Sequence, residues 1–265
     1  MKLNVNDVKN GQKLKMTCNL LIGADGIKSK VRDVLDNQSI YKYHNRILYR
    51  AILHDHEFNM DIAPIEGYTV VYRCGKPGKV FAFRQLSEHI YSFTASVTVD
   101  TPLPDEVKKL TTKKNRLKKY FIDYPDAVQH IISCVSENAI YENEVWDIDF
   151  THKWSKDDIP VILIGDSAHA MTPKLGQGAN IALEDATELA HCLGEFLKRD
   201  SSDNISKKSL LIAFQDFKNL RVPRVKEVHR ASRDALSNTI PADLRNKVYQ
   251  WNPSFIADNH LNNDF

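Results

Sequence analysis

Two hydrophobic patterns follow one another along the middle of the chain. Between Ile47 and Val99, segments rich in Tyr, Val, Phe and Thr are broken by short turn sequences, which is typical of an antiparallel sheet. The stretch from Pro104 to Cys134 favours helix in two parts separated near Tyr124-Pro125, and Val145 to Phe150 returns to strand. The pattern predicts a sheet-and-helix unit here.

The start of the chain has the pattern of a β-hairpin. Apolar and polar residues alternate from Leu14 to Leu20, and the turn pair Asn10-Gly11 separates this run from an earlier strand over 3–8. The second strand ends in the apolar run Leu20 to Ile22, as expected for a strand buried on both faces. A glycine turn follows, and a short helix is predicted over 29–35 with Ser29 as its N-cap.

A strand, a glycine loop and a helix follow one another in the last third. Val161 to Ile164 is predicted to be a short buried strand. After a loop rich in Gly and Pro, apolar residues recur at helical spacing between Ala179 and Leu197. A further helix is predicted from Leu210 to Leu236 with an interruption at Pro223, and the Asn-rich tail from Asn252 is expected to fray.

Composition and charge exclude several classes of function. The 265 residues include 36 Lys and Arg against 34 Asp and Glu, a net charge of +2, which gives no electrostatic footprint for nucleic acid or an anionic membrane. No apolar run approaches the roughly 20 residues of a membrane span, and the polar start is unlike a signal peptide. The sequence therefore predicts a cytoplasmic protein with reduced cysteines, no disulfide and no zinc site.

The most informative chemistry lies where the predicted strand at 161–164 ends. Asp166 stands at the carboxyl end of this strand, where α/β folds bind cofactors, and its oxygens can accept hydrogen bonds from ribitol or ribose hydroxyls. Gly165 removes a side chain where a ligand must come close. The turn Gly176-Gln177-Gly178 presents backbone N–H groups at a helix start, where the dipole favours an anion or the electron-rich edge of a reduced flavin.

The run from Gly165 to Ala186 resembles the second flavin-binding motif of the FAD-dependent aromatic hydroxylases and epoxidases, the family of para-hydroxybenzoate hydroxylase, kynurenine monooxygenase and zeaxanthin epoxidase. The resemblance extends over about twenty residues with fixed spacing. It implies that Asp166 contacts the ribitol of FAD. The residues implied to line the isoalloxazine ring and the pyrophosphate are Pro173, Gly176, Gln177, Gly178, Ala179 and Asn180. The alternative is an ordinary strand-loop-helix connection.

A second segment, Leu21 to Arg32, resembles the Asp-Gly motif of the same family. Asp25 and Gly26 lie in a predicted tight turn that offers acceptor oxygens, and Arg32 offers a guanidinium for the phosphate region of a cofactor. The resemblance implies that Asp25, Gly26 and Arg32 contact FAD, with NAD(P)H as co-substrate. Taken alone, the pattern would also fit a common Asp-Gly turn.

Four further patterns are interpreted as structural or solvated. The segment Phe214–Arg224 resembles the helix after the flavin motif; Arg221 and Arg224 could face the cofactor side, but a solvated basic face is favoured and no role is assigned to them. The lysine-rich stretch 108–119 lacks interleaved aromatic residues and is also expected to be solvated. The run His54-Asp55-His56-Glu57 has metal-ligating residue types, but a surface turn is favoured because adjacent strand side chains point to opposite faces. His169 is interpreted as structural.

The predicted fold is α/β, a partial FAD/NAD(P)-binding domain of the glutathione-reductase type with an inserted antiparallel-sheet substrate domain. The FAD-binding part is expected at 1–46 and 151–240, the substrate domain at 47–150 and a tail at 241–265. The Gly-x-Gly-x-x-Gly loop that holds the FAD pyrophosphate in the family is absent from this sequence. We therefore expect an N-terminally truncated chain without the first lobe, with an exposed sheet edge.

Different functions stay open on these residues. By resemblance, the protein is an FAD-dependent monooxygenase, in which NAD(P)H reduces FAD and a flavin hydroperoxide transfers one oxygen atom to an aromatic or alkene small molecule. Alternatively, the chain is a non-catalytic remnant, or a half-protein that needs a separately encoded N-terminal lobe. Another flavin oxidoreductase on the same scaffold is the third alternative. No catalytic side chain is assigned, because the redox chemistry belongs to the cofactor.

Overall fold

The chain forms two compact units, seen in a computed structural model that describes residues 1–6, 9–35, 40–64, 66–73, 78–151, 153–199, 206–236 and 242–254. Unit 1 comprises Met1–Lys42 and Trp146–Phe265, and unit 2 comprises Tyr43–Val145. Unit 2 is therefore an insertion between the two parts of unit 1. Cys18, Cys134 and Cys192 are free, whereas Cys74 and the tail after residue 254 lie outside the described residues.

Strands and helices alternate in groups along the chain. In the first half, the bounds are β1 (Lys2–Asn6), β2 (Lys13–Thr17), β3 (Leu21–Gly23), α1 (Lys30–Leu35), β4 (Tyr41–His54), β5 (Thr69–Tyr72), β6 (Lys79–Ser87) and β7 (Ile90–Thr98). In the second half, they are α2 (Asp105–Leu110), α3 (Lys113–Tyr120), α4 (Asp126–Cys134), β8 (Tyr141–Ile148), β9 (Ser155–Lys156), β10 (Ile159–Leu163), α5 (Asp166–His169), α6 (Gly178–Arg199), α7 (Lys207–Asp234) and α8 (Ala242–Tyr249).

The predicted N-terminal hairpin is confirmed, although its second strand is shorter than expected. Strands β1 and β2 pair antiparallel, with Lys2 opposite Thr17. Strand β2 ends at Thr17, and the apolar run expected to continue it forms the separate strand β3. The side chains of β2 are exposed along its whole length. Alternation therefore predicted the strand but not burial of one face.

A small sheet in unit 1 brings two distant segments together. Strand β10 pairs in parallel with β3 on one side, with Leu163 opposite Gly23, and antiparallel with β9 on the other. Trp154, Ile162 and Phe217 belong to the buried cluster that packs this sheet against α7. Because β3 and β10 run parallel, the residues that follow them lie at the same edge of the sheet.

Unit 2 is built on a sheet whose described strands pair in the order β5-β6-β7-β4-β8. The pairings β5–β6, β6–β7 and β4–β7 are antiparallel, which confirms the predicted antiparallel sheet. Residues of β4 alternate between a buried face, with Ile47, Tyr49 and Leu53, and an open face. The buried face packs against α3 and α4 in one apolar cluster, in which the rings of Phe81 and Phe93 stack at 5.0 Å.

The helices depart from the sequence prediction in two places. The stretch 104–134 holds α2, α3 and α4 rather than two helices, because Thr112 caps a new helix by accepting a hydrogen bond from the N–H of Asn115 at 3.1 Å. Helix α7 runs without interruption through Pro223. Phe217 and Val225 are buried on either side of this proline, and such packing can outweigh the lost backbone hydrogen bond.

His229 on α7 is expected to make unfolding pH-dependent. Its ring is buried and Nε2 donates to the carbonyl oxygen of Ile148 at 3.0 Å. Burial and the nearby charge of Arg233 lower the pKa of this imidazole. The native state then resists protonation while the unfolded state takes up a proton below a pH of about 6.5. The free energy of unfolding should therefore fall as the pH decreases from 7 to about 5.

Urea denaturation at several pH values checks this expectation. His229→Gln keeps an N–H donor and does not titrate, so its free energy of unfolding should depend less on pH over that interval. Parallel pH profiles for the two proteins would show that other groups cause the dependence.

Candidate cofactor site

The two sequence motifs meet at the carboxyl ends of β3 and β10. The hydroxyl of Ser167 donates to the carbonyl oxygen of Gly23 at 2.5 Å, across 144 residues of chain. The guanidinium of Arg32 donates to the carbonyl oxygen of Ser167 at 2.8 Å. The edge of the parallel sheet where α/β folds bind ligands thus carries residues from both motifs.

The turn at Gly165 directs the chain from β10 into the short helix α5. Gly165 has φ 58° and ψ −145°, a backbone conformation open almost only to glycine. A Cβ at this position would lie 3.1 Å from the Cβ of Ala182. Both the backbone conformation and the close approach of Ala182 therefore favour glycine at this position. Asp166, the next residue, is exposed, whereas Ser167, Ala168 and His169 are buried.

The loop after α5 ends in the N-terminus of a long helix. Pro173 begins a short 3₁₀ turn, and Gly176 follows it with a left-handed conformation at φ 66°. The carbonyl oxygen of Gln177 accepts from the N–H of Ile181 at 2.9 Å, so α6 begins at Gly178. The first-turn N–H groups of a helix have no partner within the helix. Ala179 and Asn180 are exposed beside them, and Gln177 is buried.

Asp25 uses its carboxylate to hold the start of α1. Oδ1 accepts from the hydroxyl of Ser29 at 2.5 Å, and Oδ2 accepts from the N–H of Lys30 at 2.7 Å. Ser29 in turn caps the helix by accepting from the N–H of Arg32 at 2.9 Å, as its predicted capping role requires. Partial burial raises the pKa of Asp25, but these hydrogen bonds outweigh it and the net shift is downward. Asp25 is ionised and already has internal donors.

Arg32 lies inside unit 1 rather than on its surface. Its side chain is buried, and its guanidinium donates to the carbonyl oxygen of Ile27 and to the hydroxyl of Tyr41 as well as to Ser167. These contacts occupy the guanidinium with protein acceptors. The residue predicted to face a cofactor phosphate therefore joins the Asp-Gly motif to the Asp166 segment.

A buried ionic cluster behind the Gly165 turn was not predicted from the sequence. Asp185 on α6 accepts from the N–H of Gly165, from Nε2 of His169 and from Nε of Arg221. Arg221 Nη2 also lies 2.7 Å from a carboxylate oxygen of Glu184, in an ion pair without hydrogen-bond geometry. The buried position of His169 agrees with its structural interpretation. The sequence did contain a signal for this cluster: two adjacent acids on the predicted helix at 179–197, and two arginines three residues apart on the next predicted helix.

The expectation of a solvated basic face on α7 was wrong. Arg221 has 1% of its side chain exposed and Arg224 17%. Both arginines are on the α7 face that meets α6, where Arg224 binds Glu184 through two nitrogens. Acidic residues on the neighbouring helix stabilise these cations inside the protein. The lysine-rich stretch 108–119 likewise contains one buried cation, Arg116, paired with Glu142.

The remaining candidates provide no additional site. Among the described residues, no group of three or more His, Cys, Asp or Glu side chains is arranged to hold a metal ion. The His54–Glu57 run lies at a 3₁₀ turn at the end of β4, in agreement with a surface turn. None of the helices in the described ranges is long and apolar enough to cross a membrane.

Comparison with known proteins shows the family to which the chain belongs. The FAD binding domain family matches residues 1–208. The chain belongs to the FAD binding domain family. Its curated relatives include zeaxanthin epoxidase of Nicotiana plumbaginifolia, 31% identical over 225 residues, and the FAD-dependent monooxygenase atmM of Aspergillus flavus, 26% identical over 242 residues. The predicted resemblance to FAD-dependent hydroxylases and epoxidases is confirmed.

Solved structures support the same fold for this FAD binding domain protein. Klebsiella pneumoniae HpxO, complexed with FAD and uric acid, matches 98% of the chain with a TM-score of 0.66 and 20% identity. CtdE, in complex with FAD and a substrate, matches 96% with a TM-score of 0.70 and 19% identity. The alignments cover 62% and 66% of those chains. The alignment with the zeaxanthin epoxidase covers 83% of this chain and 31% of that protein. The alignment with atmM covers 82% of this chain and 47% of that protein. The chain therefore spans less than half the length of these curated relatives.

Proposed function

We propose that the edge formed by the ends of β3 and β10 binds FAD and that the protein serves as an FAD-dependent monooxygenase. The observation that carries the proposal is that Asp166, just after β10, and residues in the first turn of α6, after the following loop, are both exposed, while the residues 167–169 between them are buried. A carboxylate accepts hydrogen bonds from ribitol hydroxyls, and a helix N-terminus favours a pyrophosphate or an electron-rich flavin edge. The residues present therefore fit the chemistry of FAD.

Each residue of the site has a distinct proposed role. Asp166 accepts from the ribitol, while Pro173 and Gly176 give the ring system a surface without bulky side chains. A Cβ added at Gly176 would meet no atom within 4 Å, which agrees with an open cradle. The first turn of α6, with Gln177, Gly178, Ala179 and Asn180 around it, supplies backbone donors. Asp25, Gly26 and Arg32 hold the wall of the site in place.

A pocket on the open face of the unit 2 sheet is the candidate place for a substrate. It has a volume of about 380 Å³ and is lined by apolar side chains, including Ile52 and Leu86, and by the polar groups of Arg50, Arg84 and Tyr141. Mostly apolar walls with a few polar groups are typical of small-molecule sites. An aromatic or alkene molecule with a polar substituent fits this lining.

Three expectations from the sequence belong to the same proposal. NAD(P)H is the proposed reductant, and bound FAD supplies the redox chemistry that transfers oxygen. A separately encoded N-terminal lobe and a cytoplasmic location stay predictions, and the zeaxanthin epoxidase relatives carry the description chloroplastic. The non-catalytic remnant stays the alternative prediction from the sequence.

Flavin retention by the purified chain tests the proposal. After incubation with FAD and removal of free cofactor, we expect a visible absorption spectrum with peaks shifted from those of free FAD. Asp166→Ala should weaken FAD binding by about 10- to 100-fold, because a charged hydrogen-bond acceptor is lost. Equilibrium binding, followed by flavin fluorescence, measures the change.

The control variant is Asp158→Ala, which removes an exposed carboxylate from the turn before β10. It should bind FAD as the unmodified chain does. A colourless unmodified chain would support the remnant instead, and equal affinities for the Asp166→Ala and Asp158→Ala variants would remove Asp166 from the site.

A further inference from the structure

Asp185 lies behind the proposed FAD site without reaching its surface. Its side chain is fully buried, with 0% exposed. Oδ2 accepts from the N–H of Gly165 at 2.9 Å and from Nε2 of His169 at 2.5 Å, while Oδ1 accepts from Nε of Arg221 at 2.9 Å. All three donors come from outside α6. The carboxylate is therefore a junction between α6, α7 and the turn that carries Asp166.

The charge of Asp185 is maintained by its surroundings. Burial by itself raises the pKa of this carboxyl, but the hydrogen bond from His169, the charges of His169 and Arg221 and the Gly165 N–H lower it, and the net shift is downward. Charge-assisted hydrogen bonds of this type are roughly twice as strong as neutral ones. The ionised carboxylate is thus suited to fix the N–H of Gly165 in direction and distance.

Gly165 is the residue where such fixation has the greatest effect. Its φ of 58° and ψ of −145° lie in the mirror image of the extended region, which glycine adopts as readily as the usual one, so contacts around Gly165 select this conformation from several that are open to it. A rotation at this residue redirects the next side chain, which is that of Asp166. A contact that fixes Gly165 therefore also bears on the direction of the Asp166 side chain.

We propose that Asp185 is a positioning residue that aims the Asp166 carboxylate at the FAD ribitol through its hydrogen bond to the Gly165 N–H. The inference rests on the proposed function and deepens it by adding a residue from the interior of α6. Its neighbour Glu184 offers a matched comparison. Glu184 is also a buried acid, and it forms ion pairs with Arg221 and Arg224 of α7.

Equilibrium FAD binding by Asp185→Asn and Glu184→Gln variants of the chain provides the first test. Each change removes one buried negative charge at nearly constant volume. We expect Asp185→Asn to weaken FAD binding by about tenfold or more, as for a lost charged hydrogen bond, and Glu184→Gln by less than about twofold. Equal losses of FAD affinity in the two variants would show that the effect is not specific to Asp185, and would overturn the proposal.

A double-mutant cycle with Asp166→Ala separates positioning from general destabilisation. If Asp185 acts through Asp166, the Asp185→Asn change should have almost no further effect on FAD affinity once Asp166 is alanine. A purely structural role predicts independent effects, and independent effects would overturn the proposal. Failure of the unmodified chain to bind FAD, or an unchanged affinity in Asp166→Ala, would instead contradict the proposed function itself.

Amide hydrogen exchange at Gly165 tests the inference without FAD. The Gly165 N–H should be less protected in Asp185→Asn, whose neutral amide oxygen is a weaker acceptor, and equally protected in Glu184→Gln, because Asp185 is the acceptor of this bond. Should Asp185→Asn fail to fold, Gly165→Ala disturbs the same turn from its other side, against Ala182. Its loss of FAD affinity must also disappear in the Asp166→Ala background, and persistence of that loss would contradict the inference.

Discussion

Replacing Arg32 with methionine is expected to lower the free energy of unfolding by about 3 kcal/mol or more, because one buried and two partly buried hydrogen bonds lose their donor at once. The guanidinium serves the carbonyl oxygens of Ile27 and Ser167 and the hydroxyl of Tyr41. Methionine fills a similar volume without a donor. Since Arg32 joins the two motifs, the variant should also retain less FAD.

Urea denaturation followed by circular dichroism measures the loss. Lys30→Met is the control on the same helix, because the Lys30 side chain is 87% exposed and makes one surface ion pair with Asp33. Such pairs contribute little to stability, so this variant should unfold almost as the unmodified chain does. Equal stabilities for the two variants would mean that the Arg32 contacts are not important to the fold.

Arg221→Met is expected to destabilise the protein by about 3 to 5 kcal/mol, the usual cost of leaving buried acids without their cation. Arg221 is 1% exposed and lies against the carboxylates of Asp185 and Glu184. Asp185 keeps its hydrogen bonds from His169 and the Gly165 N–H after the change, but it loses the contact with Arg221. The free energy of unfolding in urea is the quantity to compare.

Arg224→Met supplies the matched comparison three residues further along α7. Arg224 also binds Glu184 but is more exposed, and Glu184 would retain Arg221. A smaller loss is therefore expected than for Arg221→Met. A larger loss in Arg224→Met would show that the outer ion pair, rather than the buried one, stabilises the packing of α6 on α7.

The hydrophobic pattern predicted the existence of helix α6 but not which of its faces is buried. The apolar period from Ala179 to Leu197 correctly predicted a helix, which the structure bounds at Gly178–Arg199. Its orientation could not be read in this way, because Leu183 is 68% exposed whereas Glu184 and Asp185 are buried. Acids can occupy a buried face only when cations from elsewhere meet them. Those cations come from α7. The spacing of apolar residues within α6 contains no information about the side chains that α7 brings against it.

The candidate site was predictable in its parts but not in its internal contacts. The order of the Asp-Gly segment and the Gly165 segment, each after a short apolar strand, predicted that both belong to one cofactor site. Their side chains were less accessible to prediction. Residue types alone do not distinguish a carboxylate facing a ligand from one that caps its own helix, as Asp25 does, or a guanidinium at the surface from one held inside, as for Arg32.

The insertion of unit 2 between β3 and β10 has a consequence for the order of folding. The parallel pair cannot form until the chain closes a loop of more than a hundred residues, and the entropy of closure grows with the length of the flexible segment. Unit 2, once folded, replaces that flexible segment by a compact body. Its flanking residues Ile40 and Asp149 are joined by a backbone hydrogen bond of 3.0 Å. Early folding of unit 2 would therefore accelerate the pairing of β3 with β10.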